Sequence, residues 1–402
     1  MSTIEMNDHA ESEIAALKQR VRELEEECDL LAFDNHRLRQ ENERLMALCP
    51  PPVPSDDAAI DTSNLLEEGD GTHANSLEYT IESACDGANV IAATFYNQAD
   101  TRNSHVCCGG ANNMINFFRI PVDSSDTQQK LFSYTTTGPI LVIDSNRLYS
   151  LVSVGSMDGK LYVIDTSQFD KTDTIDIIQI FNDHQKYVVC TKFSPDGNLL
   201  ATGSHDKTVN LYKIVSDTQT FKIAKLTTIR FESVVESLTF VEKATDNTLV
   251  IALRDSLDLI YFNCATFQKQ NIPMNVSSWD THRSITPLVV ASSPDGKFIL
   301  IGTDKNMHIM YQTGTNKRVR TFAGHNSGQY GKPRVAFSND GKYIYSNSEG
   351  ENCIYVYSVA SEKVEYTLNG HSNIVRDVCS NLIDKSLLSC SYDKSVKYWI
   401  YK

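Results

Sequence analysis

Histidine and aspartate recur together from residue 183 onward. Asp183-His184 is followed by Asp206, and Gly370-His371 is followed by Asp393. Serines and threonines lie throughout both stretches, and a histidine beside a carboxylate and a hydroxyl is the composition of a nucleophilic, proton-transferring set. The combination returns at a regular interval, however, and a catalytic set has no reason to repeat along one chain. The sequence also holds no Gly-x-Ser-x-Gly elbow, no glycine-rich phosphate loop ahead of a helix and no His/Cys group at metal-ligand spacing. Its ten cysteines are scattered without Cys-x-x-Cys spacing, as expected of reduced thiols filling a core. The expectation is a non-enzymatic protein with no catalytic residue, no cofactor and no metal.

The elements that carry these residues are short strands. In 183–214 two apolar-alternating runs flank a Ser-Pro-Asp-Gly turn at 194–197, and a third run follows a turn containing Asp206. Alternation directs Val188, Phe193, Leu200, Val209 and Leu211 toward packed faces. One such sheet cannot bury both faces alone, so neighbours of the same kind are required. They are present. An acidic or amide turn residue recurs as Asn112, Asp158, Asp206, Asp255, Asp304, Glu351 and Asp393, at spacings of 42–49 residues, each followed by an alternating strand. A histidine stands about twenty residues before four of these, as His184, His282, His325 and His371. Ser-Pro-Asp-Gly or a close variant returns at 293–296 and 338–341.

Histidine, Ser-Pro-Asp-Gly, a turn aspartate and a closing aromatic residue in units of this length resemble the WD-repeat β-propeller family. The resemblance covers 77–402 and is strongest in units three and seven. The closing Trp-Asp is mostly missing: Trp399 is followed by Ile400, Tyr212 takes its place in unit three, and Trp279-Asp280 precedes a histidine rather than ending a strand. The family pattern implies that His184, Thr202, Asp206 and Tyr212, and likewise His371, Ser389, Asp393 and Trp399, form buried hydrogen-bond chains that fix their blades. It further implies that the strand at 76–82 completes the seventh blade, closing the ring and removing open edges.

A different element precedes the repeats. Leu17, Leu24, Leu31, Leu38 and Leu45 fall at d of a heptad, and Ile14, Val21, Cys28, Asn35, Asn42 and Cys49 at a. Facing pairs Glu13–Lys18, Arg20–Glu25 and Asp34–Arg39 attract in a parallel arrangement, and buried asparagines at a specify a two-stranded register. The dimer seam is therefore expected along Ile14, Leu17, Val21, Leu24, Leu31, Asn35, Leu38, Asn42 and Leu45. No basic region precedes these heptads, since the first Lys or Arg is Lys18, which excludes a DNA-gripping leucine zipper.

The expected organisation is a disordered tail at 1–9, a coiled coil at 10–49, a proline-rich acidic linker at 50–75 and a propeller at 76–402. The expected fold is all-β: a seven-bladed WD-repeat β-propeller closed by an N-terminal strand, preceded by a parallel dimeric α-helical coiled coil. A net charge of −14 argues against a nucleic-acid partner. No run of apolar residues is long enough for a membrane span, and no secretory signal is visible, so a cytoplasmic or nuclear location is expected. What remains is a homodimeric scaffold or adaptor binding proteins or peptides on the propeller rim, with Met157, Tyr187, His205, Arg376 and Tyr392 as candidate contacts. The alternative is a substrate receptor of a cullin-RING ubiquitin ligase, although the usual Trp-Asp-x-Arg docking box is absent.

Overall fold

The computed structural model describes Gln19 and residues 71–402, apart from 97–102, 122–128, 147, 168, 170–175, 217–220, 245, 275–284, 327–331 and 382. The tail at 1–9, the heptads of 10–49 with their dimer seam, and the linker as far as residue 70 lie outside the described residues, save Gln19, which is helical.

The alternating runs form seven separate four-stranded antiparallel sheets. Their inner strands are Val90–Tyr96, Ile140–Ser145, Val188–Phe193, Val235–Phe240, Pro287–Ser292, Val335–Phe337 and Val375–Ser380, one for each of blades one to seven. Successive inner strands touch around a ring, and Val90–Tyr96 also touches Val375–Ser380. The Ser-Pro-Asp-Gly turns are built alike. Ser194 Oγ donates to Asp196 at 2.5 Å and accepts from the Leu199 amide at 2.9 Å, and Ser293/Asp295 and Ser338/Asp340 repeat the bond at 2.6 and 2.5 Å. The fourth residue sits at φ of 70–75° in all three turns (Gly197, Gly296 and Gly341), a conformation that L side chains resist.

The core is divided among the blade interfaces. Seven apolar clusters are found among the described residues, each joining one pair of neighbouring blades. Close approach sets the residue choice there. A Cβ on Gly155 would lie 2.8 Å from Val188, and one on Gly203 2.7 Å from Val235, each on the inner strand of the next blade. Glycine at the end of a second strand makes room for the neighbour.

The expected closure by an N-terminal strand requires correction. Ser76–Ile81 pairs with Val396–Ile400, with Ile81 opposite Val396, which makes it the outer strand of blade seven. No sheet closes on itself: each is an open ladder of four strands with an inner and an outer edge. The physical reason is that blades stand face to face. Their backbone hydrogen bonds run within each blade, and only side chains cross to the neighbour. Blades seven and one meet through Val90, Phe95, Leu388, Cys390 and Tyr398. Edges are thus retained, and the inner ones line the central channel.

The residues just before this strand are also packed. The Gly71 amide donates to Tyr343 Oη at 2.8 Å and the Ala74 amide to Tyr345 Oη at 3.2 Å. The His73 ring lies 4.9 Å from that of Tyr343. No helix among the described residues is long and apolar enough to cross a membrane.

Candidate functional site

The His–Asp pairs lie inside their blades. His184 Nδ1 is 3.0 Å from Asp206 Oδ2, and Nε2 is 2.9 Å from Thr202 Oγ1. Thr208 Oγ1 and the Gln185 amide also donate to Asp206, at 2.6 and 2.9 Å. Burial pushes the Asp206 carboxyl up, but hydrogen bonds from Thr208 and Gln185 and the nearby His184 outweigh it and hold the group below its usual range. Burial keeps His184 below its usual value against the pull of Asp206, so the imidazole is neutral and acts as a bridge between hydroxyl and carboxylate.

Blade seven carries the longer chain. Trp399 Nε1 donates to Ser389 Oγ at 2.8 Å, Ser389 is 2.8 Å from His371 Nε2, and His371 Nδ1 is 2.7 Å from Asp393. In blade three the closing aromatic residue is Tyr212, whose Oη donates to Asp183 at 3.0 Å and interacts with Thr202. Substrate access is absent at both sets, since the two histidine side chains are 1% exposed. Among the described residues no group of three His, Cys, Asp or Glu is placed to hold a metal ion.

By holding the turns, these bonds place the residues beside them. In an antiparallel blade the turns between second and third strands emerge at the same end as the starts of the inner strands. That end of the ring is the turn face. Tyr187 and His205 meet there with ring centroids 4.2 Å apart. Arg376 lies over Tyr392 at 5.2 Å, and Met157 stands exposed on the turn of blade two. The structure therefore joins four of the five rim candidates in two pairs. His205 is buried rather than exposed. Burial, then Arg254, Lys332 and Lys186, push its pKa down to about 4.

The same end of the ring holds a group that the rim candidates did not include. A cavity of about 250 Å³ is walled by Glu236, Arg254, Lys332 and Arg334, with Val189, Leu288 and Pro333 between them. A channel of about 500 Å³, lined by all seven inner strands, shares Val189 and Arg334 with it. Arg254 pairs with the buried Glu236, Arg376 with the buried Glu349 at 3.3 Å, and Arg334 with Asp377 at 3.8 Å. Arg254 had a legible signal: it precedes Asp255 as His205 precedes Asp206. Glu236 and Arg376 share the second position of an inner strand, a spacing that places both at the mouth. Lys332 carried no such signal, because it lies just outside any strand.

Residues 175–213 and 362–399 match the WD domain, G-beta repeat family. These segments include the third strands of blades three and seven, the two blades that hold the His–Asp bonds. Echinoderm microtubule-associated protein-like 2 of Rattus norvegicus is 28% identical over 162 residues, covering 40% of this chain and 22% of that protein. Its Mus musculus counterpart is 26% identical over 283 residues, covering 69% and 37%. A guanine nucleotide-binding protein subunit beta of Arabidopsis thaliana is 21% identical over 268 residues, covering 62% and 66%. The chain thus spans 22% and 37% of the length of the two microtubule-associated relatives.

Proposed function

Given a WD40-repeat, seven-bladed β-propeller, a non-catalytic scaffold fold, we propose that this chain is an adaptor that captures protein partners on its turn face. The observation that carries the reading is the convergence of Tyr187, Tyr392 and four cationic side chains (Arg254, Lys332, Arg334 and Arg376) around one channel mouth. Aromatic and arginine side chains in a concave setting are the residues that dominate protein interfaces. The leucine heptads of 10–49 support a parallel homodimer, and two propellers on one stalk bind with avidity.

Two measurements test this. Affinity capture with full-length protein should lose its partners by about tenfold or more in the Tyr187→Ala/Tyr392→Ala variant. It should keep them in Phe267→Ala, because Phe267 is exposed in a turn between third and outer strands, at the opposite end of its blade. Equal capture by both variants would remove the turn face from consideration, and recovery of a cullin adaptor would favour the ligase-receptor reading instead. The names of the microtubule-associated relatives make microtubules the first partner to try. In light scattering the parent should show twice the 45.0 kDa of one chain. Leu24→Pro with Leu31→Pro should halve that mass, and a monomeric parent would refute the dimer.

A further inference from the structure

We propose that the channel mouth is an anion-binding site that takes a carboxylate- or phosphate-bearing side chain of a partner peptide, with Lys332 as its direct ligand. The inference rests on the adaptor reading and names the chemistry of the partner.

One cation at the mouth is left without an ion pair among the described residues. Four cations stand there (Arg254, Lys332, Arg334 and Arg376) against three inner carboxylates (Glu236, Glu349 and Asp377), each of which already pairs with one guanidinium. Lys332 is left as the fourth. Its amide donates to Glu349 at 3.2 Å, but among the described residues its ammonium forms no ion pair. Asp255 and Asp304 also border the cavity, on its solvent side, and Asp304 pairs with Lys305 at 3.2 Å.

Hydrogen bonding is incomplete in the same place. Arg376 Nε and His205 Nε2 are buried without a partner, as is Glu349 Oε2. Buried polar atoms of this kind are rare in native structures and mark sites completed by something else. Arg376 Nε is a donor facing no acceptor, which an incoming anion supplies. Burial and then Arg334, against the pull of Glu236, hold Lys332 below the usual lysine range.

The walls favour a peptide over a free ion. Val189, Leu288 and Pro333 line the cavity together with the charged groups, and Tyr187 and Tyr392 stand on the same turn face. A side chain with a methylene stem and an anionic head fits apolar walls around a charged floor. Nucleic acid is disfavoured, because one unpaired ammonium set among carboxylates matches a single anion and not a phosphate ladder.

The probes are fluorescein-labelled hexaglutamate, a hexapeptide alternating phosphoserine with glycine, and hexalysine, titrated against full-length protein by anisotropy. Both acidic peptides should bind below about 1 mM, more weakly as salt rises, and hexalysine should not. Lys332→Met keeps the stem and removes the charge. It should weaken acidic-peptide binding at least about tenfold without lowering the melting temperature, since it deletes a half-buried cation that forms no ion pair among the described residues. Tighter phosphopeptide binding would assign the anion as phosphate, and equal binding would assign it as any acid. Undiminished binding to Lys332→Met, no acidic binding at about 1 mM, or displacement by single-stranded RNA in preference to either peptide would overturn the proposal. Partners captured equally by Lys332→Met and parent would overturn it while leaving the adaptor reading intact.

Discussion

Replacing Trp399 by alanine is expected to destabilise the propeller by about 3–5 kcal/mol. The indole is 2% exposed and packs in the cluster between blades six and seven with Tyr343, Leu368, Val375 and Leu387. Its removal leaves a void where rigid strands on both sides prevent collapse. It also takes the N–H donor from Ser389 Oγ, the hydroxyl that orients His371 toward Asp393. Trp399→Phe separates the two effects. It keeps most of the volume and loses the donor, so about 1 kcal/mol of the cost should remain. Urea unfolding followed by circular dichroism gives both values, and a loss below about 1 kcal/mol for Trp399→Ala would show that blade seven does not depend on this chain.

Acid should weaken the protein well before its carboxylates protonate. His308, in the third strand of blade five, and His325, the repeat histidine of blade six, stack with ring centroids 3.9 Å apart and planes 7° from parallel. His308 Nε2 meets Ser346 Oγ at 2.6 Å, while His308 Nδ1 and His325 Nε2 have no partner. Burial pushes His325 down to about 4, and burial together with His325 pushes His308 well below its usual value. Both groups are thus less basic folded than unfolded. The unfolded chain binds the extra protons, and stability falls as pH drops. Their contribution is fully present above about 6.5, the unfolded value, and is lost progressively as pH falls through the folded value of about 4. A shift of that size in His325 alone corresponds to about 3 kcal/mol.

Asp206 and Asp393, by contrast, are held below their usual range. Their contribution persists down to the unfolded aspartate value and fails only below it, so the two windows are distinct. Urea midpoints at about pH 7.5 and pH 5 should therefore differ in the parent. In His308→Leu/His325→Phe the difference should shrink, leaving what His184 and His205 contribute. An unchanged pH difference in that variant would contradict the assignment.

Periodicity explains how much could be read in advance. The His–Asp bonds of blades three and seven, the Ser-Pro-Asp-Gly turns and the partner of Trp399 were legible, because each is local to one unit and returns at the repeat interval. Features made between units were not. The stack of His308 on His325 joins adjacent blades, and no spacing within one repeat announces it. Blade six shows why a pattern match is not enough: its turn acid, Glu351, bonds Tyr355, and the histidine left without it turns to its neighbour. The charged mouth was half legible. Arg254 and Arg376 occupy positions that the repeat defines, but the place of Lys332 among them emerges only when the inner strands converge.

The pairing of Ser76–Ile81 with Val396–Ile400 bears on how the molecule is made. Asn75 and Lys402, bonded to each other beside that pairing, are 327 residues apart in sequence. At about 5–20 residues per second of synthesis, the first strand waits on the order of tens of seconds for its partner, while six complete blades emerge between them. Through that interval it is a strand without a sheet, at risk of pairing with another nascent chain. Its sequence, SLEYTI, is fitted to the wait: only Ile81 becomes buried in the finished blade, and Glu78 places a charge midway along an otherwise adhesive edge.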